Sequence, residues 1–125
     1  MYGGGIYSSG MVVINNSTIS GNSATAFAIG GGGGIYNGGT VKINNSTLSG
    51  NSAGPSGGGI YNGHTMLLQN SIIANSPAGG NCFGAITSNG YNLSSDGTCE
   101  YVQGTNRQYR QRSELTRLLR PLLQH

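Results

Sequence analysis

Apolar residues in this chain never run far. In Thr40-Val41-Lys42-Ile43-Asn44 the aliphatic Val41 and Ile43 alternate with polar neighbours, the period-two signature of a strand with one buried face. Such segments last only a few residues before Gly, Asn or Ser interrupts them. That pattern predicts short strands separated by turns and excludes long helices.

The strand segments belong to a repeat. Gly3-Gly4-Gly5-Ile6-Tyr7, Gly32-Gly33-Gly34-Ile35-Tyr36 and Gly57-Gly58-Gly59-Ile60-Tyr61 open three units. Each is followed by an Asn-Ser phrase: Ile14-Asn15-Asn16-Ser17-Thr18-Ile19-Ser20-Gly21-Asn22, Ile43-Asn44-Asn45-Ser46-Thr47-Leu48-Ser49-Gly50-Asn51 and Leu68-Gln69-Asn70-Ser71-Ile72-Ile73-Ala74-Asn75. The phrases step together, since Ile6 to Ile35 and Ile14 to Ile43 are each 29 residues, and Ile35 to Ile60 and Ile43 to Leu68 are each 25. A fixed phase with an adjustable spacer describes one stacked unit carrying a variable loop. The predicted fold is therefore an all-β solenoid of three to four stacked coils.

Stacking in register sets equivalent residues about 4.8 Å apart. Ile6, Ile35 and Ile60 then form one aliphatic column and Ile14, Ile43 and Leu68 another. Asn16, Asn45 and Asn70 are expected as the polar counterpart. This would be an inward asparagine ladder at a bend, bonding to backbone groups above and below, from a residue that also tolerates a left-handed corner. Asn16-Ser17-Thr18, Asn45-Ser46-Thr47 and Asn92-Leu93-Ser94 also fit the N-glycosylation acceptor pattern, but recurrence in phase points to a structural cause.

Composition agrees with repetition in place of bulk. With 125 residues, 35% hydrophobic content and no Trp, an ordinary layered core would be thin. The 24 glycines follow no collagen period and recur beside Ile-Tyr. The net charge of +3 is unevenly spread: before Asp96 the single charged side chain is Lys42, while Arg107, Arg110, Arg112, Arg117 and Arg120 follow Cys99. The repeat body is nearly neutral, so nucleic acid is not an expected partner. No apolar run reaches the length of a membrane span, and no signal-peptide pattern opens the chain. Because the repeat begins almost at Met1, the chain is expected to be a piece of a longer array, with neighbouring coils as partners and exposed strand edges prone to association.

Cys82 and Cys99 bracket Phe83 to Thr98. One disulfide, contributing roughly 3 kcal/mol in the chain-entropy model and implying an oxidising compartment, and two free thiols both fit the spacing.

The two repeated phrases resemble the short repeats of bacterial right-handed parallel β-helix surface proteins, including the polymorphic outer-membrane protein type. Those repeats pair a Gly-Gly-aliphatic phrase with an aromatic-x-x-Asn phrase. Ile19-Ser20-Gly21-Asn22 and Leu48-Ser49-Gly50-Asn51 match the second phrase with an aliphatic in the aromatic place. Asn81 to Cys99 is similar to the segment that closes such arrays in large anchored secreted proteins. The resemblance covers roughly residues 2 to 99 and implies a right-handed single-stranded parallel β-helix of three to four coils in a secreted, extracellular or cell-surface setting, where a structural or adhesive module without catalysis of its own is the expected function. Residues 1–99 form the expected repeat domain. Residues 100–125 depart from it as an Arg- and Leu-rich tail in which Leu115, Leu118, Leu119 and Leu122 share a helical face, Ser113 suits an N-cap and Pro121 weakens the last turn. A capping helix, a flexible basic tail and an altered reading frame all fit that tail.

Catalytic chemistry finds no residues to carry it. The fold also hosts pectate lyases and polygalacturonases, which need carboxylates and basic side chains on the coil faces. Here Lys42 is alone, and Asp96 and Glu100 lie beyond the last clear repeat. The glycine runs are followed by no Gly-Lys-Ser/Thr and contain no Asp, so neither phosphate nor calcium is expected, and no cofactor. His64 has no second His or Cys at ligand spacing and reads as a turn residue. Ile72 interrupts the Thr18–Thr47 column that an ice-binding face would continue. Tyr7, Tyr36 and Tyr61 remain as candidate glycan contacts, an outward aromatic column that either packs on sugar rings or stacks on itself. The alternative function is a carbohydrate-binding or polysaccharide-degrading β-helix whose active coils lie outside this chain.

Overall fold

The computed structural model describes residues 2–25 and 30–104. The chain winds as an all-β, right-handed parallel solenoid of about three turns. The first coil holds β1 (Tyr2–Gly3), β2 (Ile6–Ser8), β3 (Met11–Asn15), β4 (Thr18–Ser20) and β5 (Ser23–Ala24). The second holds β6 (Gly31–Gly32), β7 (Ile35–Asn37), β8 (Thr40–Asn44), β9 (Thr47–Ser49) and β10 (Ser52–Ala53). The third holds β11 (Ile60–Asn62), β12 (Thr65–Gln69) and β13 (Ile72–Ala74), and the closing segment adds β14 (Cys82–Phe83), β15 (Ala85–Ser88), β16 (Leu93–Ser94) and β17 (Glu100–Gln103).

Three parallel sheets form the faces, in the orders β14-β11-β7-β2, β17-β15-β12-β8-β3 and β16-β13-β9-β4. The register is the one the spacing requires: Ile6, Ile35 and Ile60 align, as do Ile14, Ile43 and Leu68. A third column, Ile19, Leu48 and Ile73, completes the core from the remaining face. Strand β8 shows why the alternation works, with Val41 and Ile43 buried between an exposed Lys42 and half-buried Thr40 and Asn44. The second-coil members of the columns are wholly buried, whereas Ile6, Val12 and Ile19 of the first coil are only partly so, having a coil on one side among the described residues.

The glycine triplets are explained by crowding. A Cβ at Gly33 would collide with the carbonyl oxygens of Gly58 in the next coil and of Ser52 in its own coil. The triplet is where a narrow coil lets backbone lie against backbone, an approach that only glycine permits.

The asparagine ladder exists, but on other residues than Asn16, Asn45 and Asn70. Those three are exposed, with φ of 50, 51 and 50°. They are corner residues chosen for their tolerance of the left-handed region, not for inward hydrogen bonding. The side chains that turn inward are Asn51 and the pair Asn37 and Asn62. Asn51 Oδ1 accepts from the Asn22 backbone N–H at 2.9 Å and from Asn22 Nδ2 at 3.1 Å, and its Nδ2 donates to the Ile19 carbonyl at 2.9 Å. Asn37 Nδ2 donates to Asn62 Oδ1 at 2.8 Å and to the Thr65 carbonyl at 2.7 Å. Serine makes a further ladder: the Ser17 N–H donates to Ser46 Oγ, the Ser46 N–H to Ser71 Oγ and the Ser71 N–H to Asn92 Oδ1. Asn92, one of the acceptor-pattern asparagines, therefore closes that ladder.

The solenoid also runs past Cys99. Strand β17 pairs with β15 in register, Ala85 opposite Glu100 through Ser88 opposite Gln103, so the first residues expected in the tail form the last strand of a sheet. The predicted helix over 115–123, with Ser113 and Pro121, lies outside the described residues.

The two kinds of asparagine respond differently to substitution. Asn51→Ala strands two backbone groups and is expected to cost about 2–3 kcal/mol. Asn45→Ala should cost about 1 kcal/mol through its left-handed φ alone, and Asn45→Gly should restore that loss. Urea unfolding of the three variants measures the differences. Equal losses for Asn51→Ala and Asn45→Ala would contradict the assignment.

Candidate functional site

The aromatic column is built by register. Tyr7, Tyr36 and Tyr61 stand at the same position of β2, β7 and β11, directly after the inward isoleucines, so all three leave the coil on its outer side. Strand β14 adds a fourth ring, because Cys82-Phe83 takes the Ile-Tyr place opposite Ile60-Tyr61. Centroids are 5.4 Å apart for Tyr7 and Tyr36, 5.0 Å for Tyr36 and Tyr61, and 4.6 Å for Tyr61 and Phe83, with planes within 18° of parallel. Phe83 was legible only by recognising that an aliphatic-like Cys precedes an aromatic after two glycines.

This geometry decides what the column can do. A sugar ring packs on an aromatic face, yet here the faces cover one another. Tyr36 is 7% exposed, and only the terminal rings, Tyr7 at 52% and Phe83 at 46%, meet solvent broadly. Burial, followed by the neighbouring Tyr61 and Tyr7 phenols, holds the Tyr36 hydroxyl above the usual phenol range. The column thus has the anatomy of a self-stacked rib.

A second feature lies at the corner following Asn22 and Asn51. Ser23, Ala24 and Thr25 of the first coil, Ser52 to Pro55 of the second and Ala78 of the third line an open cleft of about 520 Å³. Strands β5 and β10 pair along it, with Ala78 bridged to Ser52. This is where the repeat changes length, since twelve residues separate Asn22 from Ile35 and eight separate Asn51 from Ile60. Residues 26–29 of the first spacer lie outside the described residues. The variable spacing marked these loops, but nothing in the sequence showed that they share a cleft.

The closing segment carries a network of side-chain hydrogen bonds. Cys82 and Cys99 are joined in a disulfide, with Cα atoms 4.7 Å apart. Asn81 is fully buried at its centre: Nδ2 donates to the Ile73 carbonyl, Ser94 Oγ and Ser95 Oγ, and Oδ1 accepts from the Ser76 N–H. The Asp96 carboxylate accepts from the backbone N–H groups of Asn81 at 3.0 Å and Thr98 at 2.9 Å, and from the Thr98 hydroxyl. Desolvation pushes the Asp96 carboxyl up, while these hydrogen bonds from Thr98 and Asn81 outweigh it and leave the group below its ordinary range.

His64 sits on an exposed turn with Nδ1 3.2 Å from Thr65 Oγ1. Among the described residues no group of His, Cys, Asp and Glu side chains comes together as a metal site, and no helix is long and apolar enough to cross a membrane. Comparison of the chain with protein-family models, with curated proteins and with solved structures gave no match.

Two outcomes follow. Tyr36→Ala removes the middle of the stack and should lower stability by about 3 kcal/mol, within the range for a buried aromatic; an unchanged melting curve would refute the rib. For Asp96 the folded state binds its proton less tightly than the unfolded state. Its contribution is present above the unfolded pKa and lost as pH falls through the folded one. Acid unfolding of Asp96→Asn should therefore show a weaker pH dependence below the ordinary carboxylate range than the parent.

Proposed function

We propose that this chain is a structural or adhesive module of a secreted or cell-surface bacterial protein, a rigid coil stack that carries loops for contact, with no catalysis of its own. The observation that carries this reading is the division of labour around the coil. Isoleucine, serine, asparagine and tyrosine columns stack coil on coil, while the change from a 29-residue to a 25-residue repeat falls at the corner that lines the cleft. Scaffolds that hold variable loops on a regular frame commonly place recognition there. The resemblance of the Gly-Gly-Gly-Ile-Tyr and Ser-Gly-Asn phrases to polymorphic outer-membrane protein repeats supports the surface setting, and cell-surface glycans or a neighbouring cell's surface are the partners it suggests. Stacked tyrosines supply shape and rigidity rather than a sugar platform.

The competing reading is a carbohydrate-binding or carbohydrate-active module, and one set of measurements separates the two. Beads coated with the full chain are expected to adhere to cell surfaces. Adhesion should fall when Gly54, Pro55 and Ser56 are replaced by a Gly-Ser linker, with the melting midpoint shifted by no more than about 2–4 °C, the size of a change of some 0.5 kcal/mol in a small domain. Adhesion indifferent to the loops would remove the adhesive role. A glycan array that is positive for the parent and negative for Tyr7→Ala, or release of reducing ends from a polyuronate, would establish the carbohydrate reading instead.

A further inference from the structure

An asparagine followed by glycine carries a reaction of its own. The glycine's backbone nitrogen can attack the side-chain carboxamide carbon, because no Cβ crowds the approach. The new C–N bond closes a five-membered succinimide and expels the amide nitrogen as ammonia. Water then opens the ring at either carbonyl and leaves aspartate or isoaspartate. This chain has three such pairs, Asn37-Gly38, Asn62-Gly63 and Asn89-Gly90.

The solenoid treats the three differently. Asn37 and Asn62 belong to the inward ladder and are 0% and 6% exposed. To meet its own backbone, the Asn37 carboxamide would have to leave Asn62 Oδ1 and the Thr65 carbonyl, and that of Asn62 the Ala85 carbonyl. Breaking such bonds in a buried place is costly. The attacking nitrogens are held as well: the Gly38 N–H donates to the Ser8 carbonyl at 2.7 Å and the Gly63 N–H to the Asn37 carbonyl at 2.8 Å. A nitrogen attacks only after losing its proton, and a proton engaged by a carbonyl is withheld from the base that would take it. The exposed corners share this shield, since the N–H that follows Asn16, Asn45 and Asn70 is committed to the serine ladder.

Asn89 lacks both restraints. It is half-buried at the corner between β15 and β16. Its carboxamide oxygen lies beside Gly104, where a Cβ would collide with it, and the carboxamide forms no hydrogen bond among the described residues. The Gly90 N–H reaches only Ser88 Oγ, two residues back in its own coil, at 3.4 Å, beyond the usual hydrogen-bond range.

We propose that Asn89 is a site of spontaneous deamidation in the folded protein, and that the ladder protects Asn37 and Asn62 from the same reaction. Conversion places a carboxylate on a body whose single charged side chain before Asp96 is Lys42. The isoaspartyl product also lengthens the backbone by one carbon between Ser88 and Asn92, whose Oδ1 accepts the Ser71 N–H at the end of the serine ladder. This inference does not depend on what the loops bind.

The test compares three identical dipeptides within one chain. The full chain, folded and with its disulfide intact, is held in mildly alkaline buffer, sampled over days, and each pair is followed by peptide mapping with mass spectrometry. Asn89 should convert at least about tenfold faster than Asn37 or Asn62, whose reaction waits on local opening of the ladder. In urea with the disulfide reduced, the three rates should agree within about threefold, because no coil remains to set them apart. A smaller ratio in the folded chain, the same tenfold ranking in the unfolded chain, or no conversion of Asn89 while folded would each overturn the proposal.

Discussion

Everything in this molecule depends on one constraint: a coil of this width cannot satisfy its own backbone at the corners. Strand pairing takes care of the faces, but where the chain turns, amide hydrogens point along the solenoid axis with no strand beside them. The following coil supplies the missing acceptor, as a carbonyl at the glycine triplets and as a side chain at the serine and asparagine corners. An unpaired buried amide costs about 1–3 kcal/mol, so each corner fixes both the register of the next coil and the residue type that stands there. Ser46 illustrates the economy, since its Oγ accepts from Ser17 below while donating to the Asn44 carbonyl two residues back. Lengthening the coil between corners would break this phase, and the distance from Ile to the inward Asn is accordingly the same, 16 residues, in the first and second coils.

That coupling is also why the fold was so legible. The equal steps between Ile6, Ile35 and Ile60 and between Ile14, Ile43 and Leu68 are register written in the chain, and the structure reproduces them. Periodicity reports phase, however, and not direction. Asn45 recurs in all three units, and Asn44 and Asn51 recur in two, with Gln69 and Ser76 at their places in the third. Nothing in their spacing distinguishes a residue that turns inward from one that holds a left-handed corner. The distinguishing signal lay in the neighbours. Gly50, at φ 67°, bends the chain so that the next residue, Asn51, points into the coil, whereas Asn45 is itself the residue at the bend. The closing segment was less readable because its acceptors, Asp96 and Thr98, are not repeated. A cap is by nature the place where a repeat stops.

The aromatic rib shows how position limits what a residue type can do. Three tyrosines at a regular outward position invite a binding reading, and their exposure would settle it if they stood alone. Stacking at a coil's spacing changes the outcome, because the distance between neighbouring coils is close to that at which parallel rings touch. A ring between two others presents an edge and a hydroxyl, not a face. The same spacing that makes the column regular removes the surface by which it would grip a sugar.

Among the three repeats the difference in length falls at one corner for a related reason. At the triplet the backbone of one coil leaves no room for a Cβ beside Gly58 and Ser52, and at the serine corner a hydroxyl must reach two fixed partners. Beyond Ala53 the chain leaves the core, with Gly54 and Pro55 exposed on the way to the next triplet. Loop-closure entropy grows slowly, each doubling of a loop costing only about 0.6 kcal/mol, so the first spacer can exceed the second by four residues at small expense. Physical tolerance and opportunity for recognition therefore coincide at the same edge of the solenoid. A surface that must change its contacts while keeping its frame has there a place where the repeats differ in length without disturbing the register of the coils.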